Sequence, residues 1–137
     1  KLEDGSNIRL CKGIYVEPKD IVINEPEKIN ENFLKLLKLA FSKKIFVGIA
    51  THDEILIEKC CQLINEMEID TKQFEFQALY GVPIKNIMKR LKNKKYNMRI
   101  YVPYGEDWYK YSIRRIKENP NISKYIISNL FKSNFYR

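Results

Sequence analysis

Two adjacent arginines near the end of the chain have the chemistry to bind an anionic ligand. Arg114 and Arg115 are followed by Glu118 about one helical turn later, and guanidinium groups offer several N–H donors in one plane. The same spacing is common on exposed helices, where the glutamate forms only a weak ion pair. The spacing alone leaves both interpretations open.

A second group of polar residues follows an apolar segment in the middle of the chain. Thr51 and Glu54 have the spacing of a capping box, which predicts that Thr51 caps the start of a helix. Helix N-termini also attract phosphate, so this role leaves room for ligand binding. His52 is the only histidine and could contact a ligand or solvent. Because no cysteine or second histidine accompanies it at ligand spacing, we predict no metal site.

The elements that must position these residues alternate between strand and helix. Apolar segments of strand length begin near residues 8, 45, 74 and 98. Helical patterns lie near 29–41, 55–64, 84–91 and 108–118, and a last amphipathic helix follows Ser123. This alternation predicts an α/β fold with a parallel sheet and right-handed crossovers.

Four βα units are compatible with two architectures. They can form a small doubly wound domain, or half of a (β/α)8 TIM-type barrel, which needs about 250 residues in all. Buried parallel strands without charges to protect an edge favour the half-barrel. Neither a Gly-x-Gly-x-x-Gly motif nor a P-loop follows any predicted strand, which disfavours a Rossmann-type dinucleotide fold.

In a barrel, reactive residues lie at the carboxyl ends of the strands and in the loops that follow them. The positions selected by this rule are Arg9, Lys12, Gly13 and Tyr15 for the first strand, Thr51 and His52 for the second, Leu79 and Tyr80 for the third, and Tyr101 for the fourth. From the residues alone, the chain is an α/β unit that binds something anionic, and no reaction is specified.

The composition fits one domain of 137 residues and 16.4 kDa, with a net charge of +8. Such a charge could attract nucleic acid, anionic lipid or a phosphate-bearing cofactor, but the lysines are spread thinly, which argues against nucleic acid. Three cysteines, two of them adjacent, favour a reducing compartment. Because the chain starts at Lys1 and soon enters a strand-like segment, we expect it to be part of a longer protein.

Four motifs, in order along nearly the whole chain, resemble the proline dehydrogenase family. They are Arg-Leu-Cys-Lys-Gly-Ile-Tyr at 9–15, Ala-Thr-His-Asp at 50–53, Phe-Glu-Phe-Gln-Ala-Leu-Tyr-Gly at 74–81, and Arg-Ile-Tyr-Val-Pro-Tyr-Gly at 99–105 followed by Tyr-Ser-Ile-Arg-Arg-Ile-Lys-Glu at 111–118. The double arginine with its glutamate is specific to the substrate site of that family. The likeness is strongest to its single-function bacterial members.

The resemblance implies a distorted (β/α)8 barrel that holds FAD without covalent attachment. It also implies oxidation of L-proline to 1-pyrroline-5-carboxylate by hydride transfer to the flavin. Residues 1–137 would be the C-terminal part of a single catalytic domain, namely strands five to eight with their helices and a tail helix. The N-terminal half of the same barrel would be a necessary partner.

The resemblance also assigns roles to matching positions. As catalytic residues it implies Arg9 near the flavin N5, and Tyr15 and Tyr101 beside the substrate. The cofactor-binding positions are Arg9, Lys12, Gly13, Thr51, His52 and Glu118. The substrate-binding positions are Leu79, Tyr101, Arg114 and Arg115, and guanidinium forks suit the planar carboxylate of proline.

Further expectations follow from the same resemblance. A membrane quinone is the implied electron acceptor, which suits a cytoplasmic protein at the periphery of the inner membrane. The family's N-terminal half supplies a lysine and an aspartate to the substrate site, so this chain alone should be inactive. It should also expose an open sheet edge that permits self-association. The competing interpretation is a basic α/β module that binds a nucleotide or nucleic acid.

Overall fold

The computed structural model describes residues 5–13, 18, 21–80, 85–102, 104–107, 110 and 113. Strands and helices alternate in it, as the sequence predicts. The strands are β1 Asn7–Cys11, β2 Phe46–Ala50, β3 Phe74–Leu79 and β4 Met98–Tyr101, and the helices are α1 Pro26–Ser42, α2 Glu54–Glu66 and α3 Lys85–Asn93. A single 3₁₀ turn at Thr71–Gln73 leads into β3. The predicted fourth helix, apart from the helical residues Lys110 and Ile113, and the tail helix lie outside the described residues.

The four strands form one parallel sheet in the order β1-β2-β3-β4. Each new strand is therefore added on the same side of the sheet as the one before it. Right-handed crossovers in such an order place all the connecting helices on one face. A doubly wound domain instead reverses its strand order and has helices on both faces. The observed order is therefore not doubly wound and is consistent with part of a barrel.

The hydrophobic core lies between the sheet and the helices. Apolar residues at alternate positions of the strands pack there against the inward faces of the helices. The strand residues include Val47, Ile49, Phe74 and Phe76, and the helix residues include Leu37, Leu56 and Ile87. The ring of Phe74 makes edge-on contacts with Phe41, Phe76 and Tyr96 at centroid distances of 5.1 to 6.1 Å. Cys60 and Cys61 are also buried in this core, and burial raises the pKa of the Cys60 thiol to about 12. In the described part of the chain, no helix is both long and apolar enough to cross a membrane.

The starts of α1 and α2 differ from the sequence-based expectation. Helix α1 begins at Pro26, three residues before the predicted start, because proline is well tolerated in the first helical turn. The prediction that Thr51 caps α2 is wrong. Asp53 is the N-cap, and its carboxylate accepts a hydrogen bond from the backbone N–H of Leu56 at 3.1 Å. The Thr51 hydroxyl instead accepts from the N–H of Asp53 at 3.2 Å, because the chain is still extended at Asp53.

All three described helices end in the same way. A residue with positive φ follows each helix, namely Lys44 (54°), Glu68 (52°) and Lys95 (58°). After α1, the N–H of Ile45 donates to the carbonyl of Ala40 and that of Lys44 to Phe41, which is a Schellman motif. The same pair of bonds follows α2 and α3. The three repeated endings turn the chain back toward the sheet in the same manner.

Candidate functional site

The face of the sheet opposite the helices carries polar side chains. Because side chains alternate along a strand, Arg9 in β1, Gly48 in β2 and Glu75 in β3 share this face, and the strand register places them in one row. In the next row Gln77 of β3 is aligned with Arg99 of β4, followed by Leu79 and Tyr101. Residues far apart in sequence are thus brought to one surface.

Hydrogen bonds connect these side chains across three strands. The Gln77 carbonyl oxygen Oε1 accepts from Arg9 Nε at 2.8 Å and from the Tyr101 hydroxyl at 3.2 Å. The Gln77 amide nitrogen donates to Glu75 Oε1 at 2.7 Å. The Arg9 guanidinium carbon also lies over the ring of Tyr101, 4.7 Å from its centroid, in the range of a cation–π contact. The four residues therefore form one connected group.

Glu75 extends this group through a bidentate ion pair with Arg99. Its carboxylate oxygens accept from Arg99 Nε at 2.5 Å and from a terminal nitrogen of the same guanidinium at 3.0 Å. Hydrogen bonding to Arg99 is the main reason that the pKa of Glu75 lies below its usual value; burial acts in the opposite direction. Glu75 is therefore a carboxylate at neutral pH, although the residue is only 9% exposed.

A second set of contacts joins the carboxyl ends of β1 and β2. Lys12 Nζ lies 2.8 Å from Asp53 Oδ2, so the residue that follows β1 is tied to the cap of α2. Burial would raise the pKa of Asp53, but the hydrogen bonds from Lys12 and from the N–H of Leu56 outweigh it and lower the pKa. Lys12 therefore faces a carboxylate that stays charged.

His52 connects the end of β2 with the end of β3. Its Nε2 accepts a hydrogen bond from the backbone N–H of Leu79 at 3.0 Å, so the proton of a neutral imidazole is assigned to Nδ1. Burial, followed by the positive charge of Arg9, lowers the pKa of His52. The side chain is therefore neutral at pH 7 and holds two strand ends in place.

Similarity to a known protein family extends along most of the chain. A family model described as proline dehydrogenase matches residues 5–126. The chain belongs to the proline dehydrogenase family.

Individual proline dehydrogenases are similar to it over much of its length. Proline dehydrogenase 1 of Bacillus subtilis strain 168 is 37% identical over 126 residues, which are 92% of this chain and 41% of that protein. Proline dehydrogenase 2 of the same strain is 40% identical over 114 residues, or 83% of this chain and 37% of that protein. The proline dehydrogenase of Deinococcus radiodurans is 33% identical over 126 residues, or 92% of this chain and 40% of that protein. The chain thus spans about two-fifths of the length of these relatives.

Part of the site predicted from the proline dehydrogenase resemblance is brought together at the strand ends. Leu79 and Tyr101 are aligned on β3 and β4, and five of the predicted residues lie at this edge of the sheet: Lys12, Thr51, His52, Leu79 and Tyr101. Arg9 lies in the middle of β1, and its side chain contacts Gln77 and Tyr101. Gly13 follows β1 with a φ of 81°, and no described atom lies within 4 Å of the position of a Cβ there. Tyr15, Arg114, Arg115 and Glu118 lie outside the described residues.

The residues at the centre of the polar face were not predicted from the sequence. No site role was predicted for Gly48, Glu75, Gln77 or Arg99, although the last three stand within the motifs that carry the resemblance. A signal for three of them exists: Glu75 and Gln77 alternate with Phe74, Phe76 and Ala78, and Arg99 alternates with Met98 and Ile100. This period of two marks a strand with one apolar and one polar face. Among the described residues, no group of three or more His, Cys, Asp or Glu side chains is placed to hold a metal ion.

Proposed function

We propose that this chain forms strands five to eight of the (β/α)8 barrel of a proline dehydrogenase. The complete enzyme would oxidise L-proline to 1-pyrroline-5-carboxylate by hydride transfer to FAD. The observation that carries the proposal is the family match over residues 5–126. The sequential parallel sheet, with a helix-covered apolar face and a polar face around Arg9, supports it.

We propose that the chain needs the rest of a longer protein to be active. Within the described part, β1 and β4 each pair on one side only, and the relatives are more than twice as long as the matched segment. The remaining strands would close the barrel and supply the lysine and the aspartate that the resemblance implies. We therefore propose that residues 1–137 are the C-terminal part of one catalytic domain and are inactive alone.

Arg9 within β1 and the residues that follow β1 and β2 fit an anionic dinucleotide such as FAD. Arg9 and Lys12 are cationic, Thr51 and His52 offer polar side chains, and Gly13 leaves open space beside the chain. Asp53 offsets part of the charge of Lys12, so Arg9 would supply most of the positive potential near the ring system. FAD, when bound, supplies the two-electron acceptor.

The substrate would be held by residues from the later part of the chain. Arg114 and Arg115 would bind the proline carboxylate through paired N–H donors, which fixes the orientation of the ring. Leu79, Tyr101 and Tyr15 would cover the ring and exclude water, placing the reacting carbon beside the acceptor. Glu118 would be a supporting acid near the cofactor. A membrane quinone would then reoxidise the enzyme, which we propose to be cytoplasmic and peripheral to the inner membrane.

The proposal is tested in the complete polypeptide that carries this chain. We expect the purified protein to show flavin absorbance that is bleached by proline in the absence of oxygen. Arg114→Met or Arg115→Met should raise the KM for proline roughly 30-fold, since a charge-assisted hydrogen bond contributes about 2 kcal/mol. The flavin content should stay near that of the wild type.

Lys110→Met is the matched control, because it removes a cation from an exposed helical residue four positions before Arg114. Its KM for proline should not change. Wild-type kinetics in both arginine variants would contradict the assignment of the carboxylate clamp. A protein without flavin that binds DNA with a steep dependence on salt would support the nucleic-acid module instead.

A further inference from the structure

The amide of Gln77 is held in one orientation by its partners on the polar face. Its oxygen accepts from Arg9 and Tyr101, and its nitrogen donates to Glu75. Turning the amide by half a rotation would set its N–H groups against the N–H donor of Arg9 and its oxygen against the carboxylate of Glu75. Gln77 is only 8% exposed, so these lost bonds would not be replaced freely by water.

Gln77 also separates two opposite charges. Arg9 and Glu75 lie in the same row of the sheet with only Gly48 between them, so their backbones are about 10 Å apart. The two long side chains could meet across this distance. The Gln77 amide occupies the space above Gly48, where its Nε2 lies 2.3 Å from the position that a Cβ of residue 48 would take.

The charges on either side of Gln77 are balanced differently. Glu75 is paired with Arg99 through two hydrogen bonds. Among the described residues, no carboxylate forms a salt bridge with Arg9, whose Nε donates to a neutral oxygen instead. A neutral acceptor can hold a guanidinium without cancelling its charge, which a carboxylate cannot do.

We propose that Gln77 is a positioning residue that fixes the Arg9 guanidinium through Nε and keeps it from pairing with Glu75. The positive charge of Arg9 then remains available to an anionic group at the strand ends. The identity of that group as the reduced flavin rests on the proposed function, whereas the separation of Arg9 from Glu75 does not.

The first test measures the flavin midpoint potential and the kinetics of the complete, flavin-loaded polypeptide. In Gln77→Leu, Arg9 is released and pairs with Glu75, so the potential should become more negative. The kcat should fall about 100-fold, as when one oriented donor near a developing charge is lost, and the KM for proline should change by less than about twofold. In Gln77→Leu/Glu75→Gln the competing carboxylate is gone, and most of the shift in potential should disappear.

The variants separate positioning from a merely structural role. Glu75→Gln alone is the matched control and should leave the potential near that of the wild type, because Gln77 still holds Arg9. Should Gln77→Leu not fold, Gln77→Glu keeps the shape of the side chain and places a carboxylate on Arg9, which should also make the potential more negative. An unchanged potential in the residue 77 variants, or no recovery in the double variant, would overturn the proposal.

The second test needs no flavin. The ¹⁵N NMR signal of the Arg9 Nε–Hε group is recorded in the flavin-free complete polypeptide. It should shift in Gln77→Leu, as the neutral acceptor is replaced by a carboxylate, and shift again when Glu75→Gln is added. An identical signal in wild type and Gln77→Leu would refute the positioning role. Failure of the wild type to bind flavin or oxidise proline would instead overturn the proposed function. The NMR measurement would still test whether Gln77 positions Arg9.

Discussion

Gly48 matters because it has no side chain. A Cβ at this position would lie 2.3 Å from Nε2 and 2.8 Å from Cδ of Gln77, far inside normal contact distance. Gln77 would have to move, because the backbone of a central parallel strand is fixed by the ladders on both sides. The glycine thus determines where the amide lies, and through it where Arg9 lies.

Gly48→Ala should therefore act through Gln77. In the complete polypeptide we expect a loss of about 1–2 kcal/mol in the free energy of unfolding, measured in urea, because hydrogen bonds of a buried amide are broken. In a Gln77→Ala background the space is empty, and adding Gly48→Ala should cost much less. Equal losses in the two backgrounds would show that Gly48 and Gln77 are not coupled.

The ion pair of Glu75 should make the free energy of unfolding depend on pH. The pKa of its carboxyl is lowered in the folded protein, chiefly by the hydrogen bond from Arg99, from an ordinary value of 4.5. Its stabilising effect is then complete above pH 4.5 and is lost as the pH falls through the lowered folded value. At pH 7, Glu75→Gln should reduce the free energy of unfolding by about 1 kcal/mol, and the difference from wild type should narrow below pH 4.5.

Urea unfolding at a series of pH values between 7 and 3.5 measures this difference. Glu66→Gln is a suitable control, since Glu66 is an exposed residue in the last turn of α2. A gap between wild type and Glu75→Gln that stays constant down to the most acidic point would contradict the ion pair with Arg99.

At the scale of elements, the start of α2 connects helix stability with the site. Asp53 caps the helix through one carboxylate oxygen and holds Lys12 through the other. Asp53→Ala should reduce the free energy of unfolding by about 1 kcal/mol. Asp53→Asn keeps a capping oxygen and loses the ion pair, so its cost should be smaller. Thermal or urea unfolding of the complete polypeptide measures both, and equal losses would show that the cap contributes little.

The ends of the helices offer sites where a substitution should stabilise the protein. Lys44 has a φ of 54°, a left-handed conformation that glycine adopts without the steric cost of a Cβ. Lys44→Gly should raise the free energy of unfolding by about 1 kcal/mol. Lys43 has a φ of −95°, so Lys43→Gly, one residue earlier, should give no gain. Comparison of the melting temperatures of the two variants tests whether the left-handed conformation at residue 44 is costly. An equal change in both variants would show that it is not.

At the scale of the molecule, the open sides of the sheet predict association. Unpaired strand edges present backbone N–H and C=O groups that can pair with another chain. In the described part, β1 and β4 are such edges. The isolated chain should therefore form concentration-dependent oligomers in analytical ultracentrifugation, and co-expression with the N-terminal half of the proposed barrel should give a one-to-one complex instead. A monomeric chain at all concentrations would contradict open edges at β1 and β4.

Much of the fold could be predicted from the sequence because it depends on local patterns. Apolar runs placed the strands close to their observed positions, and the alternation with helices gave the parallel sheet. The helix starts were less accurate: α1 begins at Pro26 rather than near residue 29, and Asp53 rather than Thr51 caps α2. Several polar residues can cap the same turn, and only the backbone path selects one of them.

The amino-acid sequence by itself determined which family the motifs resemble and which residues stand at the strand ends, since both depend on residue order and short-range periodicity. Only the tertiary structure decided that Gln77 lies between Arg9 and Glu75 above the space left by Gly48. The bond between Arg9 and Gln77 joins residues 68 positions apart. It exists because the register of β1, β2 and β3 brings the two side chains within hydrogen-bond distance of each other. That register forms only when the whole sheet packs on its helices.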